Sequence, residues 1–210
     1  RIARDLHDGL AQNLYFLGLK IDFLAKQALR DSETTHQELK ALKKTVQANI
    51  QEIRRTIFAL RPVNLDAGFG VAVRTYVREF GEQAGLSIDY VCSGDEDDLP
   101  RALEPVLFRL VQEALNNVAK HAGSSRAWVD LTIRPGQSVG LKVRDDGIGF
   151  NADRLPTANG AKLGLTQMHQ RVTAAGGTFT VTSVPTQGTT LHAEIPLIEI
   201  VPDDAILHVR

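Results

Sequence analysis

The chain has 210 residues, of which 43% are apolar and 23% charged, and its formal net charge is −1 at pH 7. This composition is typical of a globular protein with one large or two small domains, and a charge so close to zero argues against direct nucleic-acid binding. The single cysteine, Cys92, excludes a disulfide framework and a cysteine-based metal site, and it fits a reducing compartment. No apolar run approaches the roughly 20 residues that a membrane helix needs. Because the chain opens at Arg1, already inside a helical pattern, we expect membrane attachment only through a missing N-terminal region.

A helix is predicted from the N-terminus to about Arg30, because apolar residues recur along it at steps of three and four. His7 lies about 100° around this helix from the apolar stripe, so a second reactant can reach it. Asp8 is its neighbour, and Gln12 lies one turn after Asp8 on the same face. A solvated helix flank is the competing interpretation of these three side chains. The stripe consists of Leu6, Leu10, Leu14, Leu17, Ile21 and Leu24.

A second helix is predicted between two sequence signals. Residues 31–34 interrupt the first pattern, residues 35–38 (Thr-His-Gln-Glu) form a capping box, and Pro62 ends the helix because it lacks a backbone N–H. Two such helices form a hairpin with one apolar seam, and pairing with a second copy through residues 1–62 would cover it in a four-helix bundle. Packing of the seam on the downstream domain is the alternative. The second helix contributes Leu39, Leu42, Val46, Ile50, Ile53, Ile57 and Leu60.

The pattern changes after residues 63–68, which we expect to be a linker, and residues 69–197 are predicted to form one domain. Helical patterns alternate there with strand patterns, which indicates an α+β sandwich, a mixed sheet with helices covering one face. The tail, residues 198–210, has no predicted role. The predicted helices include Val73 to Phe80, ending near Gly85, and Val106 to Val118, and the predicted strands are residues 86–92, 128–133, 139–144, 178–183 and 190–195.

One helix of this domain carries a polar stripe next to its buried face. Glu113, Asn117 and Lys120 are spaced by four and three residues, so they lie on one side of the helix. A carboxylate and a carboxamide oxygen one turn apart suit Mg²⁺, and the lysine could contact a phosphate. A solvated helix surface is the alternative.

Two glycine-containing stretches follow. Residues 145–150 (Asp-Asp-Gly-Ile-Gly-Phe) end a strand, where the Asp145 carboxylate can accept a hydrogen bond from the exocyclic amine of adenine. Gly147 and Gly149 allow close approach of the backbone to a ligand, although an acidic turn is the alternative interpretation. Residues 160–165 (Gly-Ala-Lys-Leu-Gly-Leu) open a helix, whose N-terminal amides and dipole favour a phosphate.

In this order, the stretches resemble the cytoplasmic core of bacterial sensor histidine kinases, in the His-Asp-x-x-x-Gln subfamily of the nitrate-sensor and desaturase-thermosensor type. Residues 4–12 resemble its H-box. The part from about residue 65 to residue 197 resembles the Bergerat-type ATPase domain that gyrase and certain chaperones share. The matching boxes are residues 113–121 (N-box), 145–150 (G1), 160–165 (G2) and 188–190, the last glycine-containing box.

The resemblance implies an ATP-dependent protein histidine kinase. The phosphate of ATP would move to Nε2 of His7, with Asp8 accepting a hydrogen bond from the other ring nitrogen, and then to an aspartate on the receiver domain of a response regulator. Gln12 would orient a water that dephosphorylates the regulator. The core is expected to be cytoplasmic and homodimeric.

The resemblance also implies the ligands of the site, which are ATP and Mg²⁺. Glu113 and Asn117 would hold the metal ion, and residues 151–159 would form a mobile lid over ATP. The sequence departs from the subfamily at Lys162 and Gln167, where glycines are common. The residues expected to contact the nucleotide are Glu113, Asn117, Lys120, His121, Asp145, Gly147, Gly149, Lys162, Gly164, Leu165, Thr189 and Thr190.

Two other functions fit the same nucleotide motifs. One is a clamp ATPase, which has no need of His7 in its setting of Asp8 and Gln12. The other is a member that binds nucleotide but hardly transfers phosphate, and that acts as a scaffold or mainly as a phosphatase. A phosphate formed on the protein with ATP, labile to acid and stable to base, would separate a kinase from both.

Overall fold

The computed structural model describes residues 15–26, 28, 31–59, 64–151 and 160–197 of the chain. The expected phosphoacceptor stretch, most of the predicted lid and the tail lie outside these residues, as do the predicted helix ends near Arg30 and Pro62. The chain divides into two compact units, Arg1–Arg54 and Arg55–Arg210. None of the helices within the described ranges has the length and apolar character that a membrane crossing requires.

The first unit is built from two helices, as the sequence predicts. They are α1, of which residues 15–26 are described, and α2, Ser32–Ala59. Leu24 of α1 and Leu42 of α2 are only 2% and 8% exposed. Part of the predicted apolar seam is therefore already covered within one chain.

The start of α2 differs from the predicted capping box at residues 35–38. Asp31 caps the helix instead, because its Oδ1 accepts a hydrogen bond from the Thr34 backbone N at 3.0 Å and its Oδ2 accepts one from the Thr34 hydroxyl at 2.6 Å. Thr35, the expected cap, lies inside the first turn, where its hydroxyl donates to the Asp31 carbonyl oxygen at 2.6 Å. Asp31 accepts a hydrogen bond from a backbone amide of the first turn that has no partner within the helix, so the helix begins at Ser32.

Helix α1 also exposes apolar side chains that the predicted stripe does not include. Ile21, a member of that stripe, is 54% exposed. Because residues four apart share a helix face, Tyr15, Leu19 and Phe23 form a second apolar face, with Phe16 beside it. These four side chains are between 52% and 71% exposed. An apolar surface of this kind indicates a site that binds another protein.

Within the described residues, the second unit contains three helices after the end of α2, and five strands. The helices are α3, Phe69–Ala84, α4, Glu104–Asn117, and α5, Gly160–Ala174. The strands are β1, Ser87–Ser93, β2, Arg126–Arg134, β3, Ser138–Asp145, β4, Thr178–Val184, and β5, Gly188–Pro196. A short 3₁₀ helix, Glu96–Asp98, follows β1, and one turn of π-helix, Val118–Ala122, extends α4. Every predicted strand is present, with its ends within two residues of the prediction.

The five strands form one mixed sheet in the order β1-β2-β3-β5-β4. β1 and β2 are parallel, and the other neighbours are antiparallel. Alternate side chains point to the helices, as the period of two requires, and form the core with α3, α4 and α5. On the sheet these side chains are Ala127, Val129, Leu131, Ile133, Val139, Leu141, Val143, Leu191, Ala193 and Ile195. The predicted α+β sandwich with a mixed sheet and helices on one face is confirmed.

The topology brings the ends of several elements together. β3 ends at Asp145 beside the start of β5, because Arg144 pairs with Thr190 in the antiparallel ladder. The π-turn after α4 ends at Ala122, whose carbonyl oxygen accepts a hydrogen bond from the Ile148 backbone N at 2.7 Å. The predicted N-box, G1 box and last glycine-containing box therefore meet at one edge of the sheet.

Candidate functional site

Asp145 is the last residue of β3, and only 4% of it is exposed. Its Oδ1 accepts hydrogen bonds from the backbone N of Gly147 at 2.9 Å and of Thr189 at 3.2 Å. Within the described part of the chain, no donor is bonded to its Oδ2. The pKa of this carboxyl is raised, because the effect of burial outweighs that of the two amide hydrogen bonds, which lower it. The site thus holds one oriented carboxylate oxygen that is available to a donor on a ligand.

The loop after this aspartate is held on both sides through Ile148. The Ile148 backbone N donates to the Ala122 carbonyl oxygen, and the Ile148 carbonyl oxygen accepts from the Thr186 backbone N, each at 2.7 Å. Gly147 lies so close to the Ala122 carbonyl group that a Cβ atom would overlap it, and Gly149 has a φ of 56°. Glycine is required at the first position by space and is favoured at the second by backbone conformation.

Glu113 and Asn117 lie one turn apart on α4, as predicted, and α5 brings Gly164 against both. A Cβ atom at Gly164 would overlap the Glu113 carboxylate and would lie 3.6 Å from Asn117 Nδ2. This Nδ2 is buried, and among the described residues it has no hydrogen-bond partner. Since buried polar atoms are nearly always paired, the Asn117 amide is a group that a bound ligand would satisfy.

Charged side chains surround this pair on α4. Burial raises the pKa of the Glu113 carboxyl, while Lys120 and Arg171 act in the opposite direction. Partial desolvation lowers the pKa of His121, and the charge of Lys120 adds to that effect. Lys120 and His121 both lie on the π-turn after α4. Arg171 was missed in the sequence, although it lies seven residues, about two helical turns, after Gly164.

The structure does not bring every predicted site residue to the cluster around Asp145 and Glu113. Thr189 lies on the core side of β5 and bonds Asp145 through its backbone N, whereas Thr190 lies on the opposite face of the sheet, opposite Arg144. The side chain of Leu165 packs against the core. Outside the described residues lie the side chain of Lys162 and the residues His7, Asp8, Gln12 and 152–159.

The groups that are brought together fit ATP and Mg²⁺. The free Asp145 oxygen can accept a hydrogen bond from an amine such as that of adenine. Glu113 and Asn117 offer a carboxylate and a carboxamide, and Gly164, which has no side chain, lets α5 approach them closely. Among the residues that the structure describes, no three His, Cys, Asp or Glu side chains cluster as a complete metal site. Mg²⁺ suits such a sparse set, because substrate phosphates and waters usually complete its coordination.

Two family models match the chain. Residues 1–65 match a model described as histidine kinase. Residues 102–199 match a model described as histidine kinase-, DNA gyrase B- and HSP90-like ATPase. The matches follow one another in the order that the sequence motifs predict, and the second includes the whole cluster around Asp145 and Glu113.

Curated relatives align over nearly the whole chain. The signal transduction histidine-protein kinase/phosphatase DegS of Brevibacillus brevis is 32% identical over 200 residues, which cover 94% of this chain and 50% of DegS. The sensor protein VraS of Staphylococcus saprophyticus is 28% identical over 198 residues, which cover 94% of this chain and 55% of VraS. The chain spans about half the length of both relatives.

A solved structure shows the same fold. The histidine kinase domain of the blue-light activated histidine kinase EL346 from Erythrobacter litoralis aligns with a TM-score of 0.52 and 24% identity, covering 83% of this chain and 93% of that domain. With two family models matched in sequence order and relatives aligned along 94% of its length, the chain belongs to the sensor histidine kinase family, and it carries the histidine kinase region followed by the ATPase domain.

Proposed function

We propose that this chain is the catalytic core of a two-component sensor kinase. It transfers the γ-phosphoryl group of ATP to His7 and then to an aspartate on the receiver domain of a response regulator. The observation that supports this most directly is the contact of Gly164 with Glu113 and Asn117, next to a buried amide nitrogen that lacks a partner among the described residues. The match of residues 1–65 to histidine kinases supplies the acceptor side of the reaction.

Asp145 selects the base of the nucleotide. Its Oδ2 accepts a hydrogen bond from the exocyclic amine of adenine, whereas guanine would present a carbonyl oxygen there, and two acceptors repel each other. The amides of Gly147 and Thr189 hold the carboxylate in place before the ligand arrives. A preorganised acceptor of this kind costs little reorganisation on binding.

Glu113 and Asn117 hold the metal ion, and the cations nearby bind the phosphates. Lys120 and His121 follow this pair along the chain, and Lys162 lies two residues before Gly164. The backbone amides of the first turn of α5 add a positive partial charge. When bound, Mg²⁺ neutralises negative charge on the phosphate oxygens, which is the main requirement of phosphoryl transfer.

His7 attacks as a neutral imidazole, because the protonated ring has no free lone pair. A bond forms between Nε2 and the γ-phosphorus, and the bond from that phosphorus to the oxygen bridging the β-phosphate breaks, which releases ADP. Asp8 accepts the N–H of the other ring nitrogen and so fixes the tautomer. Gln12 orients the water that dephosphorylates the regulator, and the kinase/phosphatase name of DegS supports such a second activity.

The core acts as a homodimer through residues 1–62 and works in the cytoplasm, where ATP and response regulators are found. The second apolar face of α1, formed by Tyr15, Phe16, Leu19 and Phe23, supports the binding of a protein partner to the first unit. We place the domain boundary at a linker of residues 63–68, with the catalytic domain over residues 69–197.

Incubation with γ-labelled ATP and Mg²⁺ tests this function. We expect the chain to take up a label that is labile to acid and stable to base, because a phosphorus–nitrogen bond behaves in this way. His7→Gln should take up no label and should bind ADP as tightly as the wild type, since His7 does not form the base or metal site. ATP hydrolysis without a labelled protein would favour a clamp ATPase, and ADP binding without either would favour a scaffold. Labelling of His7→Gln would exclude His7 as the acceptor.

A further inference from the structure

Ser183 is a polar residue on the core side of β4. The strand alternates between exposed and partly buried positions, and the two preceding core-side residues, Phe179 and Val181, are apolar. A third apolar side chain would continue that pattern. Ser183 places a hydroxyl there instead, at the end of the strand next to Asp145 and its neighbours on β5.

The hydroxyl of Ser183 contacts two separate segments of the chain. Its Oγ accepts a hydrogen bond from the Phe150 backbone N at 2.8 Å. It also lies 3.2 Å from the Gly188 carbonyl oxygen and 2.9 Å from the Thr189 hydroxyl. A hydroxyl carries one proton and can accept two hydrogen bonds, so all three contacts can be made at once. Ser183 therefore ties the end of the G1 box to the start of β5.

The two segments that Ser183 joins are the ones that hold Asp145. The Thr189 backbone N donates to Asp145 Oδ1 at 3.2 Å. Gly188 lies so close to the Asp145 carbonyl oxygen that a Cβ atom would overlap it. A shift of Gly188 and Thr189 would therefore move the carboxylate that faces the base.

The proton of Ser183 also sets what Thr189 can do. When Ser183 donates to the Gly188 carbonyl oxygen, the Thr189 hydroxyl donates its proton to Ser183 and has none left for a ligand. When Ser183 donates to Thr189 at 2.9 Å, the shorter of the two contacts, the proton of Thr189 is free for an acceptor on the ligand. The orientation of one hydroxyl thus links the backbone of the site to its hydrogen-bonding capacity.

We infer that Ser183 is a positioning residue for adenine recognition, acting through Thr189 and Asp145. This inference rests on the proposed function, since it requires that Asp145 reads adenine. Substitution of Ser183 should weaken both the affinity for adenine nucleotide and the preference for adenine over guanine. A residue that served stability alone would change the melting temperature without changing that preference.

The test compares Ser183→Ala, Ser183→Thr and Ser183→Val by titration calorimetry with ADP and GDP in the presence of Mg²⁺. Threonine and valine have the same shape, so this pair isolates the hydroxyl even where the alanine variant folds poorly. We expect the threonine variant to bind ADP within about twofold of the wild type, and the valine and alanine variants about tenfold more weakly, as for the loss of one or two hydrogen bonds. The ratio of ADP to GDP affinity should fall in the same two variants.

Thr182→Ala is the matched control, because it removes a hydroxyl from the adjacent, exposed position of β4. It should leave both affinities unchanged. Equal ADP affinity and equal base preference in the threonine and valine variants would overturn the role of Ser183. Failure of the wild type to bind ADP would instead overturn the proposed function, and this inference with it.

Discussion

At the scale of single residues, the site combines groups that are unfavourable for folding. Burial raises the pKa of Asp145, which means that ionising this carboxyl is less favourable in the folded chain than in the unfolded one. Asn117 has a buried amide nitrogen without a partner in the described part of the chain. Gly164 occupies a helix, where alanine would be intrinsically more stable by about 1 kcal/mol. These features are expected where binding a ligand matters more than stability.

Asp145→Asn should separate binding from stability. The pKa of Asp145 is raised in the folded state, so the ionised form opposes folding increasingly as the pH rises through that pKa, and this cost is absent at acidic pH. Asparagine keeps an oxygen for the amides of Gly147 and Thr189 and removes the charge. At pH 7 the variant should melt at the wild-type temperature or above, and this advantage should shrink on acidification.

The same variant should bind ADP at least about tenfold more weakly, because an amide donor can face the adenine amine where the carboxylate accepted from it. Differential scanning fluorimetry and calorimetry measure the two effects. Asp146→Asn, at the exposed neighbouring position, is the control and should change ADP affinity little. A strongly destabilised Asp145→Asn that still binds ADP with wild-type affinity would contradict this role.

Gly164→Ala should weaken the binding of Mg²⁺–ATP, because its Cβ would overlap the Glu113 carboxylate. We expect a loss of about tenfold or more in affinity, with little change in melting temperature, since the helix gains about 1 kcal/mol from alanine while the overlap opposes it. Gly18→Ala on α1 is the matched control, because, apart from its own helix backbone and chain neighbours, no atom of the described residues lies within 4 Å of the position of its added Cβ. Equal nucleotide affinity in both variants would remove Gly164 from the site.

At the scale of secondary-structure elements, the ends are harder to predict than the elements themselves. The sequence predicts the start of α2 from the capping box at residues 35–38, whereas the structure has Asp31, four residues earlier, as the cap. The geometry identifies Asp31 as the cap, because it accepts hydrogen bonds from Thr34 with both carboxylate oxygens. Thr186, at the β4–β5 turn, has a φ of 66°, which the sequence did not indicate since β-branched residues rarely adopt it.

Asp31→Ala should destabilise the first unit, because the helix loses the N-cap carboxylate that accepts hydrogen bonds from Thr34. The loss can be measured by chemical denaturation of the full chain, followed by circular dichroism. Glu38→Gln is the comparison, because Glu38 would complete the capping box predicted at Thr35 but forms an exposed ion pair with Lys20 at 2.9 Å. Such a pair contributes about 0–1 kcal/mol. A larger loss of unfolding free energy in Glu38→Gln than in Asp31→Ala would support the capping box at residues 35–38 instead.

At the scale of the whole molecule, the sequence predicted the fold well and the strand order not at all. Local periodicity is sufficient to locate strands and helices, and all five strands were found. The order β1-β2-β3-β5-β4 depends on pairing between distant segments, which periodicity does not contain. The parallel pairing of β1 with β2 is of this kind.

The candidate site was predictable to the extent that its residues lie in recognisable boxes. Glu113, Asn117 and Asp145 are of this kind, and the structure gives them neighbours that the sequence did not suggest. Ser183 lies on β4, which carries no box, and Arg171 lies on α5 beyond the G2 box, so only the folded chain brings them to the site. Strand alternation with the buried Leu191 directs the side chain of Thr190 to the other face of the sheet, and its contact with the nucleotide stays a prediction.

We propose that the γ-phosphoryl group of ATP bound to the ATPase domain is transferred to His7. Mapping of the modified residue tests this transfer most directly. The chain is incubated with ATP and Mg²⁺, digested at alkaline pH to preserve phosphohistidine, and analysed by mass spectrometry. The chain contains six histidines, so the assignment discriminates His7 from five others. We predict a single phosphate on His7 and none in His7→Gln. A phosphate on another residue, or an unmodified His7 in a chain that binds Mg²⁺–ATP, would contradict the account.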